Sequence, residues 1–160
     1  MAEGDFAAAC PKLRESHEID PQLGTLLNLG KCYEQNGQFA SAWARFTELS
    51  RLAARAGQTA RADYAAERVR ELEPQLAYVT VRLSSPVPDV TVRIDEELLS
   101  TAALGTPLPL DPGEHVLSVA APDRQPWRQS IEVTPGSRQS VDVPELEPTT
   151  PEPPPPPLPP

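Results

Sequence analysis

Few residues in this chain have the types and spacing that chemistry needs. A nucleophile, a general base or a metal must be positioned by neighbours, and the candidates are sparse. There are two cysteines, Cys10 and Cys32, and two histidines, His17 and His115. The histidines lie in different parts of the chain, and neither has a metal-ligand companion at helical or loop spacing. No G-x-S-x-G elbow, phosphate-binding loop or G-x-G-x-x-G run is present. Asp95, Glu96 and Glu97 offer oxygens, but without the ligand spacing of a calcium loop they read as a solvated hairpin turn. His115 follows a DPGE turn and reads as a strand-edge histidine that packs or hydrogen-bonds locally. Trp43 reads as core. Trp127 shares an apolar register with Ile131 and Val133, which suits core or edge packing and, alternatively, a sugar-stacking platform. The chain therefore reads as non-enzymatic, with no cofactor and no metal site.

The cysteines bear on compartment more than on catalysis. Cys10 precedes the Asp20-Pro21 corner by about eleven residues and Cys32 follows it by about eleven. In an antiparallel helix pair that symmetry sets them level. A disulfide needs Cα atoms within about 7 Å, while helix axes lie about 8–10 Å apart. Buried free thiols, a structural disulfide and a redox pair all fit the spacing, and only an oxidising compartment would keep a disulfide.

Composition narrows the partners. The 160 residues are 39% apolar and 5% aromatic, enough for a core built of Ala, Leu and Val. The net charge is −9, which argues against nucleic acid or an anionic membrane, because both require a clustered basic surface. No apolar stretch is long enough to span a bilayer, and no signal-peptide pattern opens the chain.

The elements that must position these residues change character along the chain. Up to Leu76 the text is rich in Ala, Arg, Glu and Leu at helical period. It predicts helices over Phe6–Glu18 (N-capped by Asp5, with Pro11 inside), Leu23–Asn36, Phe39–Arg55 and Ala60–Leu72. An internal repeat of period 33 relates Gly4, Asp5 and Phe6 to Gly37, Gln38 and Phe39, Ala9 to Ala42, and Leu13 to Phe46. The segment LLNLGKCYEQNGQFASAWARF is similar to the tetratricopeptide repeat: Leu26, Leu29, Gly30 and Tyr33 match its first helix, and Gly37, Phe39, Ala42 and Phe46 its turn and second helix. GDFAAACPKLRESHEIDP resembles the second helix of a preceding repeat. The resemblance implies a groove for a protein or peptide partner, lined by Leu27, Asn28, Lys31, Glu34 and Gln35. Asn28 would bond a peptide backbone and Lys31 an acidic group.

From Ala77 to Val143 apolar residues alternate: Val79, Val81 and Leu83; Val90, Val92 and Ile94; Leu117 and Val119; Ile131 and Val133; Val141 and Val143. Turn signals separate them, which predicts a small antiparallel β-sandwich. PLPLDPGEHVLSVAAPDRQPW resembles the PEGA domain, and VTVRIDEELL its earlier hairpin, with Glu96 where that family usually has glycine. Ten prolines then fall in the seventeen residues from Pro144, predicting a disordered polyproline II spacer that also fits a PxxP ligand.

The fold expected is thus α+β in two domains: a tetratricopeptide-like helical array over 1–76, a PEGA-like sandwich over 77–146, and a proline-rich tail over 147–160. This order resembles a family of bacterial envelope proteins, which implies a scaffold in the periplasm or envelope. The alternative is wall or carbohydrate binding through Trp127. Gly4 to Pro21 then reads as half of a hairpin, so Met1 is expected to be an internal methionine of a longer reading frame. A genuine start at Met1 would point to the cytoplasm instead.

Overall fold

The computed structural model describes residues 5–150. Among them are four helices, α1 (Phe6–Ile19), α2 (Leu23–Gln35), α3 (Phe39–Arg55) and α4 (Thr59–Leu72). Seven strands follow: β1 (Ala77–Leu83), β2 (Thr91–Ile94), β3 (Glu97–Leu99), β4 (Leu108–Leu110), β5 (Gly113–Ala120), β6 (Trp127–Val133) and β7 (Arg138–Val143). The chain is α+β.

Each helix packs on the next in chain order. The i, i+3, i+4 spacing of apolar residues puts Leu26, Leu29 and Tyr33 of α2 against Ala42, Phe46 and Leu49 of α3, with Ala62, Ala65 and Leu72 of α4 completing the core. Gly30 lets α2 and α3 approach: a Cβ there would lie 3.0 Å from the buried Phe46 ring. The two interhelical turns are alike. Gly37 (φ +74°) and Gly57 (φ +72°) take the left-handed conformation that glycine adopts without strain. α1 runs unbroken through Pro11. Phe6, Ala9 and Leu13 are half-buried against the helical core.

The strands form two sheets, in the orders β4-β1-β7 and β3-β2-β5-β6. Val79, Val81, Val141 and Val143 of the first share one apolar core with Val92, Ile94, Leu117, Val119, Ile131 and Val133 of the second. The expectation of wholly antiparallel pairing fails at one place. β1 and β7 run parallel, with Val81 opposite Val141 and Leu83 opposite Val143. They begin and end the domain, and the chain between them is long enough for the crossover that parallel pairing needs. Strand β3 is the second strand of the VTVRIDEELL hairpin, whereas β4 has no counterpart in the sequence reading, being three residues long, too short for alternation to register. Pro109 is tolerated in β4 because that strand is an edge.

The tail boundary also moves. Glu147 O accepts from Gln125 N at 2.7 Å and Thr149 N donates to Asp123 O at 3.0 Å, so ordered backbone continues past Leu146. The proline run from Pro151 lies outside the described residues.

Cys10 and Cys32 are joined as a disulfide with Cα atoms 5.6 Å apart, tying α1 to α2. Closing a loop of this sequence separation, 22 residues, removes chain entropy worth about 3 kcal/mol from the unfolded state. Reduction with dithiothreitol is expected to lower the unfolding free energy of the helical half, read from urea melts, by that much, and the midpoint with it. A midpoint unchanged on reduction would contradict it.

Candidate functional site

The junction between helices and sheets gathers the polar chemistry. It starts from an unmet need at the start of α3. The first N–H groups of any helix lack acceptors within the helix. At the start of α1, the Asp5 carboxylate accepts from Ala8 N at 3.2 Å. One period later the corresponding residue is Gln38, which makes no side-chain cap; its amide oxygen accepts from Asn36 instead, at 2.7 Å. The acceptor comes from the β4–β5 turn. Asp111 takes the Ser41 N–H at 2.8 Å on one carboxylate oxygen and the Ser41 hydroxyl at 2.5 Å on the other. Ser41 is the period-33 counterpart of Ala8, so Asp111 stands in for the missing Asp5-type cap. A carboxylate at this end also meets the positive end of the helix dipole.

His115 braces the same turn. Its Nε2 lies 2.6 Å from the Asp111 carbonyl oxygen and its Nδ1 2.5 Å from Asp95 Oδ2. The other Asp95 oxygen accepts from Val116 N at 2.8 Å. Both ring nitrogens therefore face acceptors, and only the imidazolium donates to both. Burial opposes the charge on the ring. The Asp111 carbonyl, the bond to Asp95 and the negative charge of both aspartates outweigh it, raising the pKa above the usual 6.5. Asp95 and Glu96 form the β2–β3 turn with φ of +51° and +71°, a tight hairpin conformation that glycine usually fills at the second place. Arg93 holds it by donating to Glu96 O at 2.9 Å. The arrangement fixes backbone. The ring's Nε2 is engaged by a carbonyl and the Ser41 hydroxyl by Asp111, so His115 does not address that hydroxyl.

Beside this relay lies a cleft of about 700 Å³ between the two halves. Trp43, Tyr33 and Arg14 line it from the helices, and Leu98, Pro109 and Pro112 from the sheets. Trp43 packs against the helical core, as its sequence suggests, and also borders the cleft. Its indole Nε1 is buried without an acceptor. Leu98 is 67% exposed.

The groove expected on α2 is only partly open. Asn28 and Gln35 are exposed, and Leu27 is half-buried against the helical core. Lys31 is not a free cation: its Nζ sits 5.2 Å from the centre of the Tyr64 ring on α4. Glu34 is not a free acceptor: both its oxygens take bonds from Arg68 of α4, which also pairs with Glu71. Trp127 is half-buried against the sheet core. Among the described residues no group of three or more His, Cys, Asp or Glu side chains is placed to hold a metal ion. No helix among them is long and apolar enough to cross a membrane. In comparisons with protein-family models and with curated proteins, nothing matches this chain.

Sequence reasoning missed the Ser41–Asp111–His115–Asp95 set. The signal available was the replacement of Asp5 by Gln38 across the repeat, which leaves a helix start without its own cap.

Two outcomes follow from the geometry. Asp111→Ala is expected to cost about 1 kcal/mol, the usual worth of a helix cap, and to speed hydrogen exchange at the Ser41 amide; slow exchange there would contradict the role of Asp111. His115 has a raised folded pKa, so its contribution is complete below pH 6.5 and is lost as pH rises through the folded value. The difference in melting temperature between the wild type and His115→Gln should therefore shrink as pH climbs from 6 towards 9, tested by paired melts. A gap that widens would reverse the assignment.

Proposed function

We propose that this chain is a non-enzymatic protein-interaction module of the bacterial cell envelope, in which a tetratricopeptide-like array and a PEGA-like β-sandwich together present the junctional cleft to a segment of a protein partner. The observation that carries this is the Asp111 cap on α3, which holds the two cleft walls to each other through bonds of 2.8 and 2.5 Å. A binding surface with fixed walls loses less freedom on association. Of the eight positions matched to the repeat, Leu26, Leu29, Gly30, Tyr33, Ala42 and Phe46 are buried and Gly37 and Phe39 half-buried, which supports the array. Two sheets that share one apolar core support the sandwich. The Cys10–Cys32 disulfide supports an oxidising compartment such as the envelope.

The cleft is favoured over the α2 face because Lys31 and Glu34 are engaged by α4, whereas the cleft offers apolar and aromatic walls beside an exposed leucine. The test is site-specific photocrosslinking in the producing cell. A crosslinking amino acid at position 98 is expected to trap one discrete protein adduct, and the same group at position 28 is not. Adducts at position 28 alone, or at neither position, would defeat this reading.

A further inference from the structure

We propose that His115 is a proton-operated latch on the junction. When its ring loses a proton, the β4–β5 turn is released, the Asp111 cap on α3 loosens, and the cleft walls are no longer fixed to each other. The latch stands on the junction's own hydrogen bonds; its use in regulating partner binding rests on the cleft being the interaction surface.

The His115 side chain is 12% exposed and lies between two acceptors, Asp95 Oδ2 at 2.5 Å and the Asp111 carbonyl oxygen at 2.6 Å. The imidazolium supplies a donor to each. The neutral ring has one N–H for two acceptors. The carboxylate is the stronger acceptor, because its bond is charge-assisted, so the remaining proton stays on Nδ1 with Asp95. Nε2 then presents a lone pair to a carbonyl oxygen, and two acceptors that close repel. Water does not mend the contact in place, since a bridging water needs its two partners roughly 4.5 Å apart. The turn has to move off the ring.

Little else holds it there. Among the described residues the Asp111 carbonyl accepts from His115 and from no backbone N–H. Pro112 has no N–H to offer, and β4 and β5 stop on either side, at Leu110 and Gly113. Asp111 also joins the two halves through one residue. Its carbonyl meets the histidine of the sheet, and its carboxylate takes the Ser41 N–H and hydroxyl of α3. A displacement of its backbone is therefore felt at the helix start.

The surroundings fix the sign. Burial opposes the charge on the ring, and the Asp111 carbonyl, the bond to Asp95 and the charges of both aspartates outweigh it. β6 sets Ile131 opposite His115, while Glu114 and Glu132 hold the alternate positions of β5 and β6, on the other face. The other charged groups lining the cleft are Arg14 and Arg45 of the helices and Glu97 of β3. His115 is the one histidine in that lining, and histidine is the side chain that changes charge near neutrality. With the folded pKa raised above 6.5, the latch is closed below that pH and opens as pH rises through the folded value. A partner that uses fixed walls binds more tightly on the acid side of this transition.

The test is nuclear magnetic resonance of the full chain across the ring's own titration. Below the midpoint both ring nitrogens of His115 are expected to be protonated. Above it the proton should sit on Nδ1, and the protection of the Ser41 amide against exchange should fall by about tenfold, the worth of one hydrogen bond from a charged donor. Asp95→Asn separates the latch from a merely structural role. Asparagine suits the φ of +51° at this position. It can accept from Val116 N while its amide donates to Nδ1, which leaves the neutral ring's proton on Nε2 for the Asp111 carbonyl. In that variant Ser41 protection should stay level over the same pH range. A neutral wild-type ring protonated on Nε2 would overturn the proposal. So would Ser41 protection that ignores the His115 titration, or that follows it equally in Asp95→Asn. These readouts need no partner. If they fail while position 98 still traps one, the cleft keeps its role and only the latch falls; if they hold while position 98 traps nothing, the latch stands without the binding reading.

Discussion

The relation of the two halves rests on one carboxylate, that of Asp111. A helix start needs acceptors, and α1 finds one in its own Asp5, whereas α3 takes its acceptor from seventy residues further along the chain. That displacement makes a local requirement into a tertiary one. The first turn of α3 is complete only when the β4–β5 turn is against it. His115 then carries the constraint onward, from the Asp111 carbonyl to Asp95 and so to the β2–β3 hairpin. A second tether, Gly136 N to Gln75 O at 3.1 Å, joins the β6–β7 turn to the linker at the same end of the sheets, where Ala77 faces Leu110 and Gly113 faces Val133. Two attachments on different turns restrict rotation in a way that one flexible linker does not.

Two charged contacts tie α2 to α4 at the rim of the helical core. Arg68 is half-buried between Glu34 and Glu71, and Lys31 lies over Tyr64. These contacts draw α2 and α4 together across the face that the repeat would leave for a ligand. A ligand on that face would have to replace them, and a half-buried guanidinium left without its partner carries a large desolvation penalty. The junctional cleft asks no such exchange. Its aspartates are already bonded to Ser41, Val116 and His115, and Leu98, Pro109 and Pro112 line it beside Arg14, Arg45 and Glu97.

Helix positions were legible because periodicity is strong where one face is buried. Leu26, Leu29, Gly30 and Tyr33 mark their face without help from tertiary context, and α3 spans Phe39–Arg55, the bounds its pattern predicts. The longer strands were legible for the same reason: Ile131 and Val133, or Val141 and Val143, alternate with exposed residues. What stayed hidden depends on partners distant in the sequence. Alternation says which face of β7 is buried, but not whether its neighbour runs parallel. Three residues such as Leu108–Leu110 carry no period at all. The engagement of Lys31 and Glu34 needed α4 to be placed, and their helix alone reads as a solvated face. Asp111 sits in a turn signal, DPGE, whose aspartate reads as turn chemistry; its role at α3 follows only from Gln38 being a poor cap and from the sheet folding back.

The same reasoning bears on Trp43. A buried N–H without an acceptor costs about 1–3 kcal/mol, and a phenylalanine would fill much of that space without the penalty. Packing against the helical core explains a large aromatic ring at this place but not its indole nitrogen. Nor does the Asp111 relay call for it, since every donor and acceptor in that relay is matched by another member. The stability of the free chain therefore gives no reason for tryptophan over phenylalanine beside the cleft.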